Sequence, residues 1–119
     1  TALSLAKQSG GDCEVNIVPG YPVLINNEKV TSDAIQYAKD YLGKENVIDL
    51  DLRMTGEDFA FFAEKIPACF YRLGTGNADK GITAGVHTPT FNIDEFSLQT
   101  GMGLLAWTAI QSLENSNNK

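Results

Sequence analysis

A chain of 119 residues with 43% hydrophobic side chains has the size and composition of one globular domain, or of a small domain plus part of another, which excludes disorder outside the termini. Fifteen acidic against nine basic residues give a formal charge of -6 with no basic cluster, which argues against nucleic acid and against an anionic membrane surface as partners. The longest apolar-rich run, GMGLLAWTAI (101–110), is about half the length a bilayer crossing requires and reads as a core helix.

The opening residues TALSLAKQSGG have no charged n-region ahead of an apolar run and no initiator methionine, so they are not a signal peptide as they stand. Their abrupt start points to a longer chain that has been cut, although removal of a leader would look the same. Leu3, Leu5 and Ala6 fit the tail of a helix ended by Gly10 and Gly11. In CEVNIVPGYPVLIN (13–26), Cys13, Val15 and Ile17 alternate with Glu14, Asn16 and Val18, the pattern of a strand with one drier face. Pro19, Gly20 and Pro22 interrupt it and mark a domain crossing.

Thr31 or Ser32 can cap the next helix, whose Ile35, Ala38, Tyr41 and Leu42 recur at helical spacing before Gly43 closes it. NVIDLDLR (46–53) alternates and predicts a short strand. Thr55 and Asp58 have the spacing of a varied capping box, followed by a stripe of Phe59, Phe62, Ala63 and Ile66 that Pro67 ends. CFYRL (69–73) is β-prone, and GTGNADKGITAG (74–85) is a glycine-rich loop. Asp94 can cap a last helix in which Leu98, Met102, Leu105, Ala109 and Leu113 share a stripe. The element order predicts an α/β or α+β fold with few strands, better suited to part of a larger structure because so small a sheet would expose its edges.

Cys13 and Cys69 form no CxxC and read as two reduced, partly buried thiols, with a disulfide open to them in an oxidising compartment. A mixed metal site built from both cysteines, His87 and a carboxylate finds no support in their spacing. The loop at 74–81 matches neither G-x-G-x-x-G nor G-x-x-x-x-G-K-[ST], so a nucleotide site is disfavoured and the loop is left as a border of a substrate cleft. Glu57 and Asp58 fall in a helical first turn, where the unpaired amides favour negative charge. That accounts for Asp58, whereas Glu57 follows a glycine at a strand end, where α/β enzymes often place functional groups. His87 is the sole histidine and stands in GVHTPTFNIDE (85–95), two residues ahead of Pro89. One imidazole holds no metal tightly, so His87 is either an ordinary turn residue or has co-ligands outside this chain.

Several of these stretches occur together, in order, in a known family. YPVLINN (21–27), the helix ending in LGKENV (42–47), MTGEDFAFF (54–62), IPACFYRLGTGN (66–77) and VHTPTFNIDE (86–95) resemble the C-terminal portion of the M20 metallopeptidase and amidohydrolase family, in its aminoacylase, hippurate hydrolase and auxin-conjugate hydrolase branch. The resemblance implies that residues 1–22 end a lid or dimerisation domain and that 23–119 form the C-terminal part of a catalytic α/β domain. It implies hydrolysis of N-acyl amino acids or small peptide conjugates by two divalent metal ions, with zinc, manganese, cobalt and nickel not distinguished. His87 would be a metal ligand. Glu57, Asp58, Gly74 and Gly76 would border the substrate cleft. The general base and most ligands would lie in an N-terminal half that is absent here, leaving this chain inactive by itself. A homodimer and a cytoplasmic location are further expectations. The competing expectation is a non-catalytic binding or assembly module derived from the same fold.

Overall fold

The computed structural model describes residues 1–117 and contains four α-helices joined by long extended stretches: α1 (Ala2–Gln8), α2 (Glu28–Leu42), α3 (Ala60–Ala63) and α4 (Phe96–Asn117). Single 3₁₀ turns lie at Lys44–Asn46 and Ala78–Lys80. Gly10 sits at φ 74 just beyond α1, and Gly43 at φ 88 stops α2 while its N–H donates to the carbonyl of Lys39. Both are the left-handed stops that the glycines announce in the sequence. The cap of α2 is Asn27, whose side-chain oxygen accepts from the N–H of Val30 at 3.1 Å. Thr31 and Ser32 lie one turn inside the helix instead.

The expected α/β fold is not found: among the described residues there is no β-strand, only an isolated antiparallel bridge between Asn77 and Ile82. The segments read as strands, 13–18, 46–53 and 69–73, carry the right alternation but meet no second backbone edge. Alternation shows that a segment can bury one face; a ladder also requires a neighbour about 4.7–4.9 Å away. At one point a side chain does the neighbour's work. The amide of Asn26 donates to the carbonyl of Phe70 at 2.9 Å and accepts from its N–H at 2.8 Å, as an opposing peptide group would, and the N–H of Asn27 donates to the carbonyl of Ala68.

The centre of the structure is the pairing of α2 with α4, the one helix pair in contact among the described residues. Tyr37 and Leu104 are buried there, and the Tyr37 hydroxyl accepts from Asn115. Tyr41 stacks on Trp107 with ring centres 6.3 Å apart. Leu104 is only 5% exposed, whereas Met102 is 66% and Leu113 67% exposed. The stripe expected to bury α4 is therefore the face left bare, and the opposite face, through Gly101, Leu104 and Thr108, meets the rest of the chain. The cause is that α4 is apolar on both sides, as a helix covered all round would be.

The result is a flat, open structure. Its radius of gyration is 21.1 Å and it is 19 Å thick, against about 13–14 Å for the radius of a closed domain of this length. None of its large side chains is completely buried among the described residues. No described helix is long and apolar enough to cross a membrane.

The orientation of α4 can be checked by paired substitutions. Leu104→Ala should destabilise the helix pair by about 2–3 kcal/mol, while Met102→Gln should shift stability by no more than about 0.5 kcal/mol. The helical signal followed through a urea titration reads both; equal losses would mean that the two faces are equally covered.

Candidate functional site

The glycine-rich loop is locked onto the start of α4 by one carboxylate. Its two ends pair, N–H to carbonyl in both directions, between Asn77 and Ile82 at 2.8 Å, and Gly81 at φ 71 makes the return turn. Asp94 lies beside this turn. One of its oxygens accepts from the Asn77 amide at 2.5 Å, and the other accepts from the Lys80 ammonium at 2.8 Å and from the N–H of Phe96 at 3.3 Å. The Asp94 N–H donates back to the carbonyl of Thr75 at 2.8 Å. The ammonium of Lys80 also lies 4.8 Å from the centre of the Phe96 ring. Asp94 is thus the helix cap that the sequence suggests and, beyond that, the anchor of the loop. Lys80 is engaged by a carboxylate and an aromatic face, which leaves it poorly placed to meet a phosphate.

Glu57 and Asp58 do stand just ahead of α3, but neither carboxylate caps it; that of Glu57 accepts from the N–H of Phe59, the residue before the helix, at 3.1 Å. Asp58 is exposed and contributes its carbonyl to the N–H of Phe61. Gly74 has open space around its Cα and lines a slot floored by α2, while a Cβ on Gly76 would meet the carbonyl oxygen of Ile82 at 3.3 Å. The closeness of the loop's own backbone is what favours glycine at 76.

His87 is exposed in the turn after this loop and has the left-handed φ of 64, a region in which histidine is enriched relative to most residues. The turn is tied by the Thr88 hydroxyl to the carbonyl of Gly85 and by the N–H of Phe91 to the carbonyl of Thr88. Among the described residues no hydrogen bond joins His87 to Glu57, Asp58 or Asp94. No three His, Cys, Asp or Glu side chains converge there to hold a metal ion. One exposed imidazole is one ligand, so the described residues do not amount to a metal centre by themselves. Sequence reasoning missed Asn77, Lys80 and Phe96 as partners of Asp94. The Asn-Ala-Asp-Lys-Gly turn was visible, but nothing in its spacing shows which carboxylate it meets.

An open helical structure with a pinned loop and, among the described residues, no group of three His, Cys, Asp or Glu side chains placed to hold a metal ion is the class these observations define. Residues 5–113 match Peptidase family M20/M25/M40, and the chain belongs to that family. An uncharacterized hydrolase of Staphylococcus aureus (strain USA300) is 41% identical over 88 residues, covering 71% of this chain and 22% of that protein. An uncharacterized hydrolase of Staphylococcus haemolyticus (strain JCSC1435) is 41% identical over 86 residues with the same shares. The putative amidohydrolase YhaA of Bacillus subtilis (strain 168) is 29% identical over 106 residues, covering 89% of this chain and 27% of that protein. The chain therefore spans about a quarter of the length of the curated relatives it matches. No solved structure matches it.

The Asp94 anchor carries a pH prediction. Hydrogen bonds from Lys80 first and Asn77 second hold this carboxyl below its ordinary value of 3.8. A depressed folded value means that the contribution to loop docking is complete above the ordinary value and is lost as pH falls through the depressed one. The amide shifts of Ile82 and Phe96, followed between about pH 5 and pH 2, should report release of the loop in the acid part of that range. Asp94→Asn should give a loosened loop at pH 5 and no further acid transition; a wild-type loop unmoved across the range would show that the carboxylate is not the anchor.

Proposed function

We propose that these 119 residues act as a non-catalytic assembly module of the M20 hydrolase family, one that works by covering, and being covered by, another polypeptide. The observation that carries this reading is surface. The structure exposes 9903 Å² of accessible area, where a closed monomer of 12.9 kDa exposes about 6,300 Å². The excess of about 3,600 Å² is several times the roughly 800 Å² that one partner contributes to a standard interface. Much of it is apolar: the Met102 and Leu113 face of α4, Phe62 and Ile66 around α3, and Val15 to Val18. Exposed apolar area on this scale marks a protein interface rather than a solvated surface.

The acidic groups fit the same reading. Asp94 and Glu57 direct their carboxylates at donors of this chain, which holds backbone in place. A second reading is favoured by the share of the relatives that the chain spans and by the word amidohydrolase in the name of one of them. In it the same residues are the C-terminal part of a longer metal-dependent enzyme that hydrolyses N-acyl amino acids or peptide conjugates. His87 then supplies one ligand, and Glu57, Asp58, Gly74 and Gly76 border the cleft.

Calorimetric titration of the 119-residue chain with zinc or manganese should give no stoichiometric site, and an N-acyl amino acid assay in the same buffer should give no turnover above metal alone. Tight one-to-one binding accompanied by hydrolysis would overturn the non-catalytic reading. In a longer chain that contains these residues, loss of both metal and activity on His87→Ala, with helical content unchanged, would support the second reading.

A further inference from the structure

We infer that the segment 21–27 clamps Glu57 from both sides, with Tyr21 and Asn26 as the positioning residues. Ahead of Glu57 the ring of Tyr21 lies on Gly56, where a Cβ would come within 2.8 Å of the ring's Cδ2 atom, and the same ring meets Phe61 edge to face with centres 6.0 Å apart. The φ of Gly56 lies outside the left-handed region, so its own backbone does not call for glycine; the ring seated on it does. After Glu57 the route runs through Phe70. The Asn26 amide holds both backbone groups of Phe70, at 2.9 and 2.8 Å, which fixes where the Phe70 side chain starts. The Phe70 ring then lies 5.6 Å from that of Phe59, within the range of a favourable aromatic pair, and the N–H of Phe59 is the donor that the Glu57 carboxylate meets at 3.1 Å.

Little else holds this stretch. From Ile48 to Gly56 no backbone group bonds to another among the described residues, and α3 is a single turn, too short to keep a fixed course by itself. Such a stretch takes its position from the side chains packed on it. Tyr21 bears on the backbone just before Glu57, and Asn26, through two rings, on the amide that the carboxylate meets. A shift of 21–27 against Gly56 would move the acid, and a shift against Phe70 would move its donor, so the bond between Glu57 and Phe59 follows the course of a segment distant in sequence. The clamp is the same in both readings above. In the second, it makes Tyr21 and Asn26 positioning residues for an acid at the border of the cleft, each acting through a neighbour. Coupling carried by packed side chains shows as non-additivity between substitutions along the route.

Amide hydrogen exchange of the 119-residue chain, followed by NMR, tests the clamp at the N–H of Phe59. Tyr21→Ala and Asn26→Ala should each speed exchange of that amide by about tenfold or more, toward its rate in Glu57→Ala, whereas Tyr21→Phe, which keeps the ring, should leave it unchanged. Tyr21 and Asn26 are both exposed, so circular dichroism should show the helices of these variants intact. The amide of Val30, held by Asn27 at the start of α2, should exchange as before. Phe70→Leu removes the ring but not the backbone groups that Asn26 holds. It should therefore speed Phe59 as well, and adding Asn26→Ala to it should bring no further change there. The clamp is overturned if either alanine variant leaves Phe59 unmoved, or if Asn26→Ala and Phe70→Leu act additively at Phe59. It is overturned equally if Val30 quickens in step with Phe59, because the two amides would then be reporting a general loosening.

Discussion

The close approach of α2 and α4 is the constraint on which the rest of the structure depends, and glycines in α4 permit it. A Cβ on Gly103 would collide with the hydroxyl of Tyr41, and one on Gly101 would come within 2.8 Å of the Leu73 side chain. These two notches let α4 receive Tyr41 from α2 and Leu73 from the extended segment that follows the 66–70 stretch. The helix gives up some intrinsic stability for them, since each interior glycine costs roughly 0.5–1 kcal/mol relative to alanine. Leu104 and Trp107 sit beside the notches and supply the apolar contact that offsets this cost. The notch at Gly101 is where the Leu73 side chain meets α4.

The start of α4 is set by a different kind of force, and the two ends of the helix therefore behave differently. At its beginning Asp94 gathers an ammonium, an amide and two backbone contacts into one polar knot, so the loop at 74–82 is fixed by directional bonds. Further along, the helix is held by packing and by a single bond from Asn115 to Tyr37. His87 lies in the turn between the loop and Asp94. Its position therefore follows that of a polar anchor seven residues downstream, while its imidazole stays free of the packing that holds the helices.

What was legible in the sequence was local chemistry. Gly10 and Gly43 marked helix ends because only a residue without a Cβ adopts their φ easily, and Asp94 marked a helix start because its carboxylate reaches the next free amides. The errors arose where a local pattern had more than one solution in space. Asn27 took the cap expected at Thr31 or Ser32, and the cap expected from Thr55 and Asp58 does not form, Glu57 bonding instead to the N–H of Phe59 ahead of α3. In α4 the stripe through Leu98, Met102 and Leu105 was a real apolar face, but so was its opposite, and only the position of the glycines decides which one meets α2. Strands were the least legible of all, because half of a strand's definition lies in its neighbour. Asn26 could not have been read from sequence as a stand-in for that neighbour.

Polar and apolar groups have reached different degrees of completion in this chain. Most polar side chains that fix the backbone, among them Asn26, Asn27, Glu57, Asn77 and Asp94, find partners within it. The exceptions are the hydroxyls of Thr31 and Ser97 and the indole N–H of Trp107, which are buried without a hydrogen-bond partner among the described residues. Thr31 lines the slot floored by α2. Hydrogen bonds over short loops can form within one segment, whereas apolar burial needs a second surface of matching extent. A chain that has settled its local polar contacts and left both faces of its longest helix apolar has its geometry defined before it is covered. Such pre-organisation lowers the entropy lost on association, which is how an open structure can bind a partner without having to fold around it.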